Sequence, residues 1–165
     1  MRYRRAYHAG GCYFFTVVTA ERRPILAATE RVELLRAAIQ RVMRLHPFSI
    51  DAMVVLPDHL HCIWTLPEAD ADFSRRWRLI KTHFSRHAAV PLPCWQPRFW
   101  EHLIRDDNDY AHHVDYIHYN PVKHGYASGP GEWPYSSFGR FVARGQYSAD
   151  WGQRAPDIPE DVGRE

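Results

Sequence analysis

Hydrophobic and polar residues alternate along the chain with two different periods, and each change of period marks a new element. A run of β-branched and aromatic residues over 13–20 predicts a strand. Apolar residues then recur at helical spacing from Thr29, a residue type typical of an N-cap, to about His46. Pro47 ends that pattern, so the first two predicted elements are a strand and an amphipathic helix.

The middle of the chain predicts a hairpin and a second helix. Two apolar runs, 48–57 and 59–67, meet at the turn-forming pair Pro57-Asp58, which indicates two antiparallel strands. Over 72–89 an apolar stripe repeats at helical spacing, and several arginines lie off that stripe. We therefore expect the hairpin to be followed by a helix with one apolar and one basic face.

A last strand and helix complete the pattern. Residues 98–104 predict a strand, and 106–120 predict a helix that ends at Asn120-Pro121. The order β-α-β-β-α-β followed by one more helix predicts an α+β fold of the ferredoxin-like, split βαβ type. In that fold an antiparallel sheet has helices on one face and leaves the other face available. We expect a single domain over 1–140 and an irregular, partly disordered tail over 141–165.

The composition limits the classes of function that the protein can have but does not identify one. The 165 residues, 45% of them apolar, suffice for one domain with a real core. Lys and Arg outnumber Asp and Glu by only 21 to 19, so any polyanionic partner must be recognised by local basic clusters. The three cysteines are far apart, which predicts reduced thiols and a cytoplasmic protein. We find no apolar run that predicts a signal peptide or a membrane span.

Two histidines interrupt the second strand of the hairpin. Side chains on a strand alternate between faces, so His59 and His61 point the same way, about 7 Å apart along the strand. Leu60, Cys62 and Trp64 then point to the core. Two neighbouring imidazoles can share one divalent metal. The alternative is that one histidine is hydrogen-bonded within the sheet and the other occurs there by chance.

A second polar group lies on the last helix, in the stretch "DYIHYNPVKHG". Tyr116 and Asn120 are four residues apart, so a phenol and an amide can address the same spot from one helical face. Each residue also has a structural interpretation: Tyr116 as part of the core, and Asn120 as an ordinary helix C-terminal residue before a proline.

Four stretches in this order, "VVLPDHLHCIW", "FWEHLIRD", "YIHYNPVKHG" and "WPYSSF", resemble the HUH-type tyrosine transposases of the IS200-like superfamily. The closest resemblance is to the REP-associated tyrosine transposases. It implies that His59 and His61 bind the metal, and that Asn120 takes the place of the third ligand. It also implies that Tyr116 is the single nucleophile, on a helix late in the chain. Tyr110 and Tyr119 lie on the same helix, but only Tyr116 matches the motif.

The resemblance implies metal-dependent nicking and joining of single-stranded DNA hairpins. The tyrosine attacks a phosphodiester, which leaves a 5′-phosphotyrosine and a free 3′-hydroxyl, while Mg²⁺ or Mn²⁺ polarises the phosphate. The base that deprotonates the tyrosine is not evident, although His118 and Lys123 are near in sequence. Two rivals stay open: a metal-dependent phosphodiesterase without the covalent step, and a sequence-specific DNA-binding protein whose site has decayed.

Basic residues with interleaved aromatics suggest where DNA binds, although each cluster taken alone is also typical of a solvated surface. The resemblance makes them candidate DNA contacts. The candidates are Arg2, Arg4 and Arg5 near the start, Arg75, Arg78 and Lys81 on the basic helix, and Lys123 after the tyrosine. The extension after Gly125 matches the REP-associated branch, for which the resemblance implies a monomer; the alternative is a dimer that exchanges the tyrosine helix between sites, as the resemblance to other IS200-like proteins implies.

Overall fold

The computed structural model describes residues 5, 7–163 and 165. Four strands form one sheet in the order β2-β3-β1-β4, and all neighbouring strands are antiparallel. This is the split βαβ order, so the predicted α+β fold is confirmed. The strands are β1 (Cys12–Val18), β2 (Ser49–Val55), β3 (His59–Thr65) and β4 (Trp100–Leu103).

Two helices cover one face of the sheet, as predicted. Helix α1 (Thr29–Leu45) and helix α2 (Phe73–His87) pack their apolar stripes on alternate residues of β1 and β3. The ring of Trp77 on α2 stacks on Trp64 of β3 with 4.3 Å between centroids. The side chains of Leu60, Cys62 and Trp64 point to the same face of β3. The side chains of both histidines alternate with these, so they point away from the two helices.

A third helix, α3 (Asp107–Lys123), covers the opposite face, which the sequence left open. Its apolar residues pack on Phe14 and Ile63 of the central strands. The helix was predicted to end at Asn120-Pro121 but continues for a further turn. Pro121 removes only its own amide donor, and the amides of His124 and Tyr126 bond to the carbonyls of Asn120 and Pro121. The candidate nucleophile, Tyr116, and the histidine pair therefore lie on the same side of the sheet.

The chain after α3 crosses this same side. It contains a short helix, α4 (Phe138–Ala143), and residues 144–163 have no helix or strand. Val162 lies buried in the apolar cluster beneath α3, and the partly disordered tail over 141–165 stays a prediction. Within the described part of the chain, no helix has the length and apolar character needed to cross a membrane.

Candidate active site

The histidine pair projects from β3 with both rings held by their Nδ1 atoms. His59 Nδ1 lies 2.6 Å from Asp58 Oδ1, and His61 Nδ1 lies 2.8 Å from Thr16 Oγ1. Both side chains are almost fully buried. No described residue hydrogen-bonds to Nε2 of either ring. The protein therefore orients both imidazoles and leaves their Nε2 atoms for another partner.

The surroundings favour the neutral form of both rings. Burial lowers the pKa of His61 to about 4. Burial also lowers the pKa of His59, although the Asp58 carboxylate acts in the opposite direction. Because Asp58 accepts the Nδ1 proton of His59, the lone pair of that ring is on Nε2. A neutral imidazole with a free lone pair is the form that binds metal.

Helix α3 places Tyr116 and Asn120 against this pair. The Tyr116 ring is 5.2 Å from the His61 ring, centroid to centroid, and both α3 side chains are buried. Among the described residues, Asn120 Oδ1 has no hydrogen-bond partner. The structure thus brings together an unpaired amide oxygen and two unpaired imidazole nitrogens. This donor set fits a divalent cation; that the three residues are its ligands remains a prediction.

One carboxylate oxygen, Glu165 Oε1, touches nearly every residue of this site. It accepts hydrogen bonds from the Tyr116 hydroxyl at 2.6 Å and from Asn120 Nδ2 at 3.0 Å. It lies 3.5 Å from His61 Nε2 and 3.9 Å from His59 Nε2. The preceding chain is fitted closely to the tyrosine, since Gly163 has a φ of +73° and a Cβ there would overlap the Tyr116 ring.

The carboxylate and the phenol hold each other in fixed protonation states. Burial, followed by the hydrogen bond to Glu165, raises the pKa of Tyr116 above its ordinary value. Burial alone would raise the pKa of Glu165, but the polar side chains that converge on its carboxylate, His61, Tyr116 and Asn120, outweigh burial, and the pKa lies well below its usual range. Tyr116 is therefore a protonated donor while Glu165 occupies this position.

Two basic residues that follow the tyrosine complete the site. Lys123 Nζ donates to the Tyr116 oxygen at 3.2 Å and to Glu165 Oε1 at 3.2 Å, so this candidate DNA contact lies at the tyrosine itself. His124 Nε2 is 2.8 Å from Glu165 Oε2. Sequence reasoning missed His124, although its place four residues after Asn120 was a usable signal. His59, His124 and Glu165 also form a group whose ligand atoms lie within 4.8 Å of one another.

His118, the other residue considered near the tyrosine, faces elsewhere. Its Nε2 lies 2.7 Å from Ser137 Oγ, and its Nδ1 lies 3.3 Å from the Tyr147 hydroxyl. That hydroxyl donates to Asp115 at 2.6 Å. His118 therefore ties α3 to the later chain, and of the two basic neighbours only Lys123 contacts Tyr116.

Of the remaining basic candidates, those that the structure describes lie away from the tyrosine. Arg2 and Arg4 are outside the described residues. Arg5 pairs with Glu101 at 2.8 Å and lies over the Phe99 ring at 4.0 Å. Three more are on α2, across the sheet from Tyr116; Arg75 and Arg78 are exposed, and Lys81 donates to the Gln96 carbonyl at 3.0 Å.

Comparison with known proteins gives concordant results. No protein-family model matches the chain. It is 56% identical over 156 residues to a REP-associated tyrosine transposase of Escherichia coli K12, covering 94% of this chain and 93% of that protein. It is 43% identical over 171 residues to a putative REP-associated tyrosine transposase of Haemophilus influenzae, covering 94% and 95%.

A solved structure agrees with these relatives. It is a REP-associated tyrosine transposase bound to a REP hairpin, and it superposes with a TM-score of 0.89 at 51% identity. The match covers 100% of this chain and 98% of the solved one. With two such relatives matched over nearly their whole length, the chain belongs to the REP-associated tyrosine transposase family.

Proposed function

We propose that this enzyme nicks and rejoins single-stranded DNA at REP-type hairpins through a 5′-phosphotyrosine on Tyr116. The observation that supports this most directly is the convergence of the tyrosine hydroxyl, the histidine pair and Asn120 on one oxygen, Glu165 Oε1. A non-bridging phosphate oxygen is the natural ligand of such a position, because it too is an anionic acceptor. The related structure is bound to a REP hairpin, which supports this substrate class.

His59 Nε2, His61 Nε2 and Asn120 Oδ1 are the atoms that would hold a divalent cation, Mg²⁺ or Mn²⁺. When bound, such a cation polarises a phosphate and stabilises charge that develops on it. Asp58 and Thr16 hold the two rings so that Nε2 points into the site. The preorganised rings avoid the cost of ordering them when substrate arrives.

Tyr116 performs the covalent step. The phenol loses its proton and its oxygen forms a bond to phosphorus while the bond from phosphorus to the 3′ oxygen breaks. The released 3′ oxygen takes up a proton, so that the 5′ side becomes tyrosine-linked and a 3′-hydroxyl is released. Attack by a 3′-hydroxyl on the phosphotyrosine reverses the step and joins strands without an external energy source. Lys123, 3.2 Å from the phenol oxygen, stabilises the phenolate by its positive charge.

The Glu165 side chain must be displaced from this position for a phosphate to bind there. While it is present, its carboxylate holds the proton on Tyr116 and fills the position that converges on the histidines. Withdrawal of this one negative charge releases Lys123 Nζ to act on the phenol and releases Asn120 Nδ2 to donate to a phosphate oxygen. Binding of the anionic backbone and displacement of Glu165 are therefore the same event.

Substrate contacts outside the site are assigned to the basic residues named from the sequence. Arg75 and Arg78 are exposed on α2 and remain candidate backbone contacts for DNA that wraps around the sheet edge. Arg5, held over Phe99, and Lys81 line the neighbouring surface. We include Arg2, Arg4 and Lys123 in this proposal on sequence grounds.

We propose that the protein acts as a monomer in which Tyr116 serves the histidine pair of the same chain. Tyr116 lies over His61 of its own chain with 5.2 Å between ring centroids. Mixing two inactive variants, His59→Ala and Tyr116→Phe, tests this directly. A monomer gives no nicking in the mixture, whereas dimers that exchange the tyrosine helix would regain activity. The three free cysteines agree with the proposed cytoplasmic location.

Cleavage of a labelled single-stranded REP-type hairpin tests the proposed function. We expect nicking that requires Mg²⁺ or Mn²⁺ and is lost in His61→Gln and Tyr116→Phe. His87→Gln is the matched control, because His87 is exposed on α2 and should leave activity unchanged. Nicking that survives Tyr116→Phe but needs the metal would identify a phosphodiesterase. Hairpin binding without any nicking would identify a DNA-binding protein.

A further inference from the structure

Three titratable side chains outside the proposed nicking site converge where β4 meets α3. His102 lies on β4, opposite Phe14 of β1, while Asp109 and His113 are four residues apart on the first turns of α3. Their potential ligand atoms all lie within 4.8 Å of one another. The Phe14 ring contacts both His113 and His61, but this cluster shares no residue with the proposed nicking site.

The carboxylate of Asp109 is the centre of the cluster. Its Oδ2 lies 2.8 Å from His102 Nε2 and accepts from the Arg105 amide at 2.9 Å. Its Oδ1 faces His113 Nδ1 at 3.2 Å, and the same nitrogen is 2.8 Å from the Asp109 carbonyl. The two imidazole rings stack with 4.6 Å between centroids. Both rings thus direct a nitrogen at one carboxylate.

The cluster is accessible from outside. It borders a surface recess of about 250 Å³ whose lining also includes His112 and Asp161. Asp109 and His113 are only 5% and 4% exposed, whereas His102 is 27% exposed. A small ion can therefore reach ligands that are otherwise held rigidly by the strand and the helix.

We propose that His102, Asp109 and His113 form a second metal site, selective for a first-row transition ion such as Zn²⁺. Two imidazole nitrogens and one carboxylate oxygen are a donor set that favours Zn²⁺, Ni²⁺ or Cu²⁺ over Mg²⁺. A pair of ligands at i and i+4 on one helix face is a common way to hold such an ion.

The present hydrogen bonds do not prevent this binding. A neutral imidazole carries one proton, which can reside on either ring nitrogen, so each ring can present a lone pair to the ion without changing its charge. The Arg105 side chain is 69% exposed and can turn away from the carboxylate. The ion would replace the hydrogen bonds of His102 Nε2 and His113 Nδ1 by three coordinate bonds, two from these nitrogens and one from the carboxylate, and keep the Arg105 amide on Oδ2.

Cobalt binding by the full chain tests the proposal, because tetrahedral Co²⁺ has a visible absorption band that reports its ligands. We expect His102→Gln and His113→Gln each to lose one equivalent of Co²⁺ in equilibrium dialysis, together with that band. Glutamine keeps a side-chain amide that can still donate to Asp109, and thermal melts establish that each variant is folded. The same loss is expected in a His61→Gln background, which distinguishes this site from the nicking site.

His83 provides the control. It stacks on His87 one turn away on α2, with 4.4 Å between centroids, and is the competing histidine pair. His83→Gln should leave the equivalent lost in His102→Gln in place. The proposal is overturned if His102→Gln binds as much Co²⁺ as wild type, or if His83→Gln removes that equivalent instead.

Discussion

Replacing Glu165 by glutamine should increase the rate of hairpin nicking. The substitution keeps the size of the side chain and an oxygen that can accept hydrogen bonds, but it removes the negative charge from the centre of the site. Glu165 Oε1 accepts from two buried donors, the Tyr116 hydroxyl at 2.6 Å and Asn120 Nδ2 at 3.0 Å. Weakening these bonds lowers the occupancy of the site by the Glu165 side chain.

The size of the effect follows from the two buried donors. A hydrogen bond to a charged acceptor is worth about 1 kcal/mol more than one to a neutral acceptor, so two of them give about 2 kcal/mol. The contact with Lys123 adds little, because that side chain is 46% exposed and the pair is screened by solvent. About 2 kcal/mol corresponds to roughly 30-fold in rate at subsaturating DNA.

Single-turnover cleavage of a labelled hairpin at fixed Mn²⁺ measures this increase. Glu160→Gln is the matched control, because Glu160 is an exposed carboxylate of the same tail segment and should have no effect. A fall in rate that is recovered at higher Mn²⁺ would show that Glu165 is a metal ligand, in keeping with its place beside His59 and His124. An unchanged rate would show that Glu165 does not compete with DNA. Either result refutes the competition.

Three further changes test other parts of the structure. Asp58→Asn should weaken Mn²⁺ binding about 10-fold to 100-fold, measured by calorimetry, because the amide no longer fixes the Nδ1 proton of His59; equal affinities would contradict this role. Tyr147→Phe should lower the free energy of unfolding by about 1–3 kcal/mol in urea, because it removes the hydroxyl that bonds to the buried His118 Nδ1 and to the half-buried Asp115 carboxylate; a loss under 0.5 kcal/mol, on the order of a surface change, would contradict it. The hydrogen bond from Arg76 depresses the pKa of Asp70, so this pair stabilises the fold fully above pH about 4 and less as the pH falls further. Asp70→Asn should therefore make the free energy of unfolding less dependent on pH below that point. An unchanged pH dependence would contradict the stabilising role of the ion pair.

The fold was predictable because it depends on local periodicity, whereas the meeting of the two motifs was predictable only from the family resemblance. The alternation of side chains along a strand predicted that His59 and His61 share one face, and helical spacing predicted that Tyr116 and Asn120 share another. What joins them is that α3 packs on the face opposite α1 and α2. Periodicity within α3 could not say which face it covers, but the family resemblance required the tyrosine to meet the histidines.

The later chain was the part that sequence patterns described least well. Residues 141–165 lack periodicity, so the sequence predicts an irregular and partly disordered tail there. Their packing depends on a few single contacts, namely burial of Val162 and the close fit of Gly163 on Tyr116. The position of Glu165 follows from these contacts and has no signature in the sequence. His124 was missed for a related reason, because it lies just past the end of the helical pattern.

The most direct test is the covalent bond to Tyr116. Incubation with a 5′-labelled suicide hairpin and Mn²⁺, followed by peptide mapping by mass spectrometry, locates any DNA-linked residue. We predict a single phosphotyrosine at Tyr116, absent in Tyr116→Phe and retained in Tyr119→Phe, which alters a tyrosine on the same helix. A cleaved hairpin with no protein–DNA adduct, or an adduct on Tyr119, would contradict the proposed nucleophile.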